Sequence, residues 1–297
     1  RSCTRARPAP SRRAPQSLNF DYCRNFDDDC LGRLRALGGT LRALSIRGTS
    51  VSDAGIVGAR SSRRRSGAVC DGGSVLAALP HLVQLDLSKS SKAQSHFITD
   101  RSVHTIASSC LLLEDLSLGW CAGITDHAAP LLRRLTRLRA LDLSMTAVTS
   151  DACRHLAALY LARVDLAATR VCDLGVRLLA RPPVTVAGGR RSPPRGTKSH
   201  EREAPGSPDD ARVAGGGSAG CAPPCRLVTL RLRFAEAVTA ESLACLDAHA
   251  RLLRTLDVGH CPLLDFSSPV EKEAVRSMTS RGTHVIRDID DSLRRKI

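Results

Sequence analysis

Polar and apolar positions along residues 113–135, LEDLSLGWCAGITDHAAPLLRRL, follow two periods in succession. Leu116 and Leu118 lie two apart, so they face one way from a short strand while Asp115, Ser117 and Gly119 face the other. Cys121 follows three residues later and Ile124 re-enters the core. Thr125 and Asp126 then offer a helix N-cap, and Ala129, Leu132 and Leu135 recur at helical spacing. The unit reads as strand, turn, helix. Alone it cannot bury its apolar face, so it requires neighbours of the same design.

Those neighbours are present. Aligned on the first leucine of the unit, repeats start near Pro15, Leu41, Leu82, Leu113, Leu138, Leu161, Leu227 and Leu253, eight in all. Their strand cores read LNF, LSI, LDL, LSL, LDL, VDL, LRL and LDV. Three residues beyond each core stands a mostly small residue: Cys23, Thr49, Ser90, Cys121, Thr146, Thr169, Ala235 and Cys261. After Cys23, Cys121 and Cys261 the next apolar residue comes at plus three (Phe26, Ile124, Leu264), and after Thr49, Thr146 and Thr169 at plus two (Val51, Val148, Val171). Two turn lengths thus go with two kinds of residue.

The run LSLGWCAGITD, echoed by Phe97-Ile98-Thr99-Asp100 and Val171-Cys172-Asp173, resembles the cysteine-containing subfamily of leucine-rich repeats. The resemblance covers Pro15 to Phe266 apart from insertions. It implies an α/β fold, a right-handed solenoid or horseshoe of about eight strand-helix repeats. It also implies that Cys23, Thr49, Ser90, Cys121, Thr146, Thr169 and Cys261 form a structural ladder joining one turn to the next. The subfamily is best known from F-box proteins that serve as substrate receptors of SCF-type cullin-RING ubiquitin ligases, and from mitotic-exit antagonists without an F-box. Ciliary adaptors carry such repeats too. In the F-box proteins the F-box precedes the first repeat, and an upstream element is expected here because the first repeat opens without a polar cap.

Insertions interrupt the pattern at 58–74, 90–96 and 181–224. The first is basic, and Arg63, Arg64 and Arg65 read either as a solvated run or as a nuclear-localisation signal. The last is rich in Pro, Gly, Ser and Arg with almost no large apolar side chains, so its sequence predicts disorder. Residues 1–14 read as a disordered leader, and 15–297 as one repeat domain carrying the insertions. Val270 to Ser280 reads as a helix that Gly282 ends, and Val285, Ile286 and Ile289 as a last edge strand.

Composition changes this picture little. Of the net charge of +15, +5 falls in 1–14, +3 in 58–74 and +3 in 181–224, all outside the repeats. Basicity is therefore weak support for a nucleic-acid partner. Four of the twelve cysteines sit on or beside expected helices (Cys30, Cys110, Cys153, Cys245) and three in the ladder, as small buried hydrophobes do in a reducing compartment, cytoplasm or nucleus. No apolar run reaches the roughly 20 residues of a membrane span.

Catalytic and cofactor chemistry find no foothold. Cys221 and Cys225 form a lone C-x3-C pair without a second pair at zinc spacing, and Gly215 to Gly220 lacks the strand and Lys-Ser/Thr of a phosphate cradle. No Ser/His/Asp or Cys/His set stands out, so no enzyme, metal or cofactor is expected. The informative surface is the concave one. Its outward column reads Asn19, Ser45, Asp86, Ser117, Asp142, Asp165, Arg231 and Asp257, four of eight acidic in a basic chain. Two positions beyond the second core residue stand Tyr22, Gly48, Lys89, Trp120, Met145, Ala168, Phe234 and His260. Trp120 reads equally as a cover for the ladder edge or as a partner contact. The expected partner-binding set is Asp86, Ser117, Trp120, Asp142, Met145, Asp165 and Asp257, engaging a protein with a basic segment. The leading function is substrate recognition for an SCF-type ligase. The alternatives are a ligase-independent adaptor and, disfavoured by the acidic column and sparse aromatics, an Arg-rich nucleic-acid-binding protein.

Overall fold

The computed structural model describes residues 15–58, 73–90, 94–181 and 225–287. Nine short strands form a single sheet: β1 (Ser17–Asn19), β2 (Ala43–Ser45), β3 (Gln84–Asp86), β4 (Asp115–Ser117), β5 (Ala140–Asp142), β6 (Arg163–Asp165), β7 (Thr229–Arg231), β8 (Thr255–Asp257) and β9 (His284–Ile286). Their order in the sheet is their order in the chain, and every neighbouring pair is parallel. Helices alternate with them: α1 (Asp28–Arg33), α2 (Asp53–Val57), α3 (Asp100–Ser109), α4 (Ala128–Leu132), α5 (Ser150–Leu156), α6 (Asp173–Ala180), α7 (Ala240–His249) and α8 (Pro269–Ser280). The architecture is a leucine-rich-repeat solenoid.

The core follows from the two periods. Each strand turns its central residue inward, so Leu44, Leu85, Leu116, Leu141, Val164, Leu230 and Leu256 stack in register and are buried. The helices close the core from the other side with residues such as Ile56, Ile106, Leu132, Leu156, Val176 and Leu246. No repeat holds a core of its own, so stability is shared between neighbours.

One expected element is in place: His284–Ile286, read from sequence as a last edge strand, pairs with β8 and brings the strands among the described residues to nine. Several others differ from expectation. Helix α4 begins at Ala128, after Thr125 Oγ1 accepts from the His127 N–H at 3.3 Å and holds the chain in a turn; Pro130 then falls in the first helical turn, where its missing N–H costs nothing. In the second repeat the chain after the insertion forms only a 3-10 turn, Leu76–Ala78, and Pro80 follows shortly. Helix α8 starts one residue early because Pro269 suits the first turn and the Ser268 N–H donates to Glu271 at 3.3 Å. Gly282, at φ +84°, ends it in the left-handed region that a side chain would disfavour. The readings made for 1–14, for Cys221, for Gly215 to Gly220, for Ile289 and for most of the three insertions lie outside the described residues.

Candidate functional site: the concave face

Two outward columns cover the concave face, one on each side of the inward residue. Asp115 and Ser117 flank Leu116, and the pattern repeats on every strand. Sequence reading took only the second column. The first holds Ser17, Ala43, Gln84, Asp115, Ala140, Arg163, Thr229 and Thr255. There Arg163 reaches over the small Ala140 of the intervening strand to pair with Asp115 at 3.0 Å. Burial raises the Asp115 carboxyl pKa, and the Arg163 guanidinium opposes that shift.

In the second column the register brings Asp86, Ser117, Asp142 and Asp165 onto four neighbouring strands. Hydroxyls join the middle of this run: Ser88 and Ser117 lie 2.6 Å apart, and Ser117 Oγ donates to Asp142 Oδ2 at 2.9 Å. Each aspartate also shapes its own turn, because its other oxygen accepts the backbone N–H two residues on. Asp86 takes that of Ser88 (2.8 Å), Asp142 that of Ser144 (2.9 Å), Asp165 that of Ala167 (3.0 Å) and Asp257 that of Gly259 (3.1 Å). These side chains therefore fix the strand exits; Asp86, Asp142 and Asp165 are half-buried and still present negative charge, whereas Asp257 is buried. Burial raises the pKa of Asp165, with the Ala167 N–H and Arg231 working against it; the guanidinium lies 3.3 Å away. Arg231 stands between Asp165 and Asp257, so Asp257 is cut off from the acidic run.

Over β1 to β4 the face sinks into a hollow of about 260 Å³, lined among others by Asn19, Ser45, Gln84, Asp86, Asp115 and Ser117. It lies nearer the N-terminal end than Asp142 and Asp165.

The column of large residues has a backbone cause. Tyr22, Gly48, Trp120, Met145, Ala168, Phe234 and His260 all have φ between 53° and 65°. Each turns the chain down off the sheet; the N–H of Trp120 donates to the Ser144 carbonyl at 2.7 Å and that of Met145 to Ala167 at 2.8 Å. Trp120 and Met145 are half-buried, while Tyr22 is 58% and Phe234 49% exposed. Phe234 stacks on His260 with ring centroids 4.7 Å apart.

The ladder behind this turn needs correction at two places. Thr49, Cys121, Thr146, Thr169 and Cys261 are buried, and Ala235 is buried without a polar group to place. The threonines donate within their own repeat, to Ile46, Leu143 and Leu166 at 2.6 to 2.7 Å. The longer reach belongs to sulfur: Cys261 donates to the Leu232 carbonyl of the preceding repeat at 3.2 Å, and the Cys121 thiol lies between the Leu87 carbonyl of the preceding repeat at 3.8 Å and that of Gly119 in its own at 3.7 Å. Cys23 is exposed, because no earlier repeat among the described residues offers it a carbonyl. Ser90 is exposed too. Its place is taken by Lys89, 1% exposed, whose ammonium donates to the carbonyls of Thr49 (3.2 Å) and Val51 (2.7 Å). Desolvation lowers the Lys89 pKa, and Cys121, Asp28 and Asp53 oppose it.

A second row of carboxylates, of which sequence reading named only Asp126 as part of a cap, ties the helices together. Asp28 accepts the N–H and hydroxyl of Ser52 at 2.8 and 2.7 Å, Asp100 those of Thr125 at 2.9 and 2.6 Å, and Asp126 those of Thr149 at 2.8 and 2.7 Å. Asp53 holds Thr99 and Asp173 holds Thr239 in the same way. Each of these aspartates, at or just ahead of one helix start, thus holds a Ser or Thr at or just ahead of the next. Between α5 and α6 the pair is Ser150 and Cys172: the Cys172 N–H donates to Ser150 Oγ at 3.0 Å, and the Ser150 hydroxyl lowers the Cys172 thiol pKa.

Among the described residues no group of three or more His, Cys, Asp or Glu is arranged to hold a metal ion, and no helix is long and apolar enough to cross a membrane. No protein-family model matches the chain, and no curated protein sequence matches it. Among solved structures it is similar to internalin C2 from Listeria monocytogenes str. 4b F2365, at 15% identity and a TM-score of 0.47, over 92% of this chain and 80% of that one.

Proposed function

We propose that this chain is a protein-recognition scaffold that receives a basic segment of its partner on the concave face between β3 and β6. The observation that carries the reading is the in-register run Asp86, Ser117, Asp142 and Asp165, with Asp115 beside it. Strands about 4.8 Å apart set these groups at a spacing that an extended chain of Lys or Arg residues can follow. Trp120 and Met145, at the exits of β4 and β5, supply apolar contact. The carboxylates then govern approach rate and specificity, and burial of Trp120 supplies much of the affinity. Asp257, beyond Arg231, contributes least.

The cysteine-containing repeats support a more specific reading, the substrate-recognition part of an SCF-type ubiquitin ligase. A ligase-independent adaptor would use the same face. Co-purification of the full-length protein with the cullin-ligase adaptor subunit separates the two. Nine free cysteines among the described residues suit a reducing compartment, cytosol or nucleus.

The test of the face is affinity for a captured partner. Asp142→Lys, Asp165→Lys and Trp120→Ala should each weaken binding by about tenfold or more. Arg133→Glu, on the helical side, should leave it unchanged. The opposite pattern removes the interface from the concave face.

A further inference from the structure

A different surface carries charge of the opposite sign. Where the chain turns from each helix into the next strand, the residues just ahead of the strands stack along the leading edge of the sheet. Backbone bonds hold that stack: Arg163 N donates to the Arg139 carbonyl at 2.9 Å, Thr229 N to Ala162 at 3.0 Å and Thr255 N to Val228 at 3.0 Å. From β5 to β8 the outward positions of this edge include Arg137, Arg139, Tyr160, Arg226, Leu252 and Arg254. The four arginines are exposed, and none of them pairs with a carboxylate among the described residues. Tyr160 is 47% and Leu252 51% exposed. Arg139 donates to the Tyr160 carbonyl at 3.2 Å, and the Arg226 guanidinium lies 4.5 Å from the centre of the Tyr160 ring. Tyrosine backbone and ring thus hold two of the cations in place.

The geometry points to a second docking surface, on which this edge binds an acidic, extended protein segment that places an apolar side chain on Leu252. Four guanidiniums across three strand spacings, about 14 Å, repel one another, and a polyanion relieves that repulsion. The occupant is a peptide rather than a nucleic acid for two reasons. Tyr160 is the single aromatic of these six residues, and one face of its ring is already covered by Arg226, so successive bases find no series of stacking platforms. Leu252 offers aliphatic surface with no hydrogen-bonding group, which suits an apolar side chain. The inference is independent of the concave face, whose charge is opposite.

The experiment is fluorescence anisotropy on the full chain with three labelled probes: a peptide of Glu and Asp with interspersed Leu, the same peptide with Lys for each acid, and a single-stranded oligonucleotide. The acidic peptide should bind, and the Lys peptide should not compete with it. Arg226→Glu with Arg254→Glu should weaken binding by about tenfold or more, Leu252→Ser severalfold, and Arg133→Glu and Asp142→Lys not at all. Arg133, Arg226, Leu252 and Arg254 are exposed and Asp142 half-buried, and circular dichroism of each variant checks that the fold is kept. Failure of the acidic peptide to bind overturns the proposal. So does binding insensitive to Arg226 and Arg254, or tighter binding of the oligonucleotide through the same arginines.

Discussion

The third and fourth repeats solve one problem with different chemistry. Both turn a leucine inward from the strand, Leu85 and Leu116, bury a second, Leu87 and Leu118, and leave the sheet in the same direction. Both then place a donor on carbonyls of the preceding repeat. The fourth uses a neutral thiol, Cys121, after a left-handed residue, Trp120 at φ 64°. The third uses the ammonium of Lys89, which lies one position earlier, and Lys89 is absent from the set of left-handed residues. A thiol gives up little hydration on burial. An ammonium gives up a great deal, and the lowered Lys89 pKa records that cost. The two repeats thus reach back with different donors to different carbonyls, Cys121 to that of Leu87 and Lys89 to those of Thr49 and Val51.

Substitutions that remove or overload the donor should separate the two repeats. The largest effect belongs to Cys121→Arg, which places a charge among groups that cannot pair it and should cost at least about 3 kcal/mol in denaturant unfolding. Cys121→Ser should cost about 1 kcal/mol. Equal effects of Arg and Ser would mean that the side chain lies at the surface.

Alkaline titration comes next. Burial raises the thiols of Cys110, Cys121 and Cys153 from 9.0 to about 12. Between those values the unfolded chain loses thiol protons that the folded one keeps, so stability falls as pH rises above 9, by about 1 kcal/mol per thiol near pH 10. Lys89 has the opposite sign. Its pKa is lowered from 10.5, so its contribution becomes less unfavourable as pH climbs from the folded value toward 10.5. Cys121→Ala should therefore flatten the alkaline loss and Lys89→Met should steepen it; chemical-denaturation midpoints across the alkaline range read both.

Lys89→Met at neutral pH should cost about 1–3 kcal/mol through the unmet carbonyls of Thr49 and Val51, offset in part by the relieved desolvation. Smallest is Ser90→Ala, within about 0.5 kcal/mol, because Ser90 is exposed. A larger loss would return Ser90 to the ladder.

The fold was legible because two periods, 2 and 3.6, are written plainly in stretches such as Leu113 to Leu135. The acidic column was legible for the same reason: alternation alone places Asp86, Asp142 and Asp165 outward. Lys89 was not, since no residue-type rule prefers a lysine where hydroxyls and thiols stand elsewhere, and only packing shows that its stem reaches the second repeat. The Asp115–Arg163 pair was hidden because it joins strands that are not neighbours. Its signal was present in the first outward column, where opposite charges flank the small Ala140. Asp100 and Asp126 were visible in Thr-Asp pairs, but a cap is local and the bond to the next repeat is not; Asp28 follows Asp27 and carried no such signal.

Hydrogen exchange of the free and partner-bound chain tests the central claim most directly, since protection on binding marks the covered strands themselves. The account predicts new protection over 84–90, 115–121, 140–146 and 163–169, which carry the acidic run and its exits, with α3 to α6 exchanging as before. Protection confined to those helices, with the four strands unchanged, would contradict recognition by the concave face.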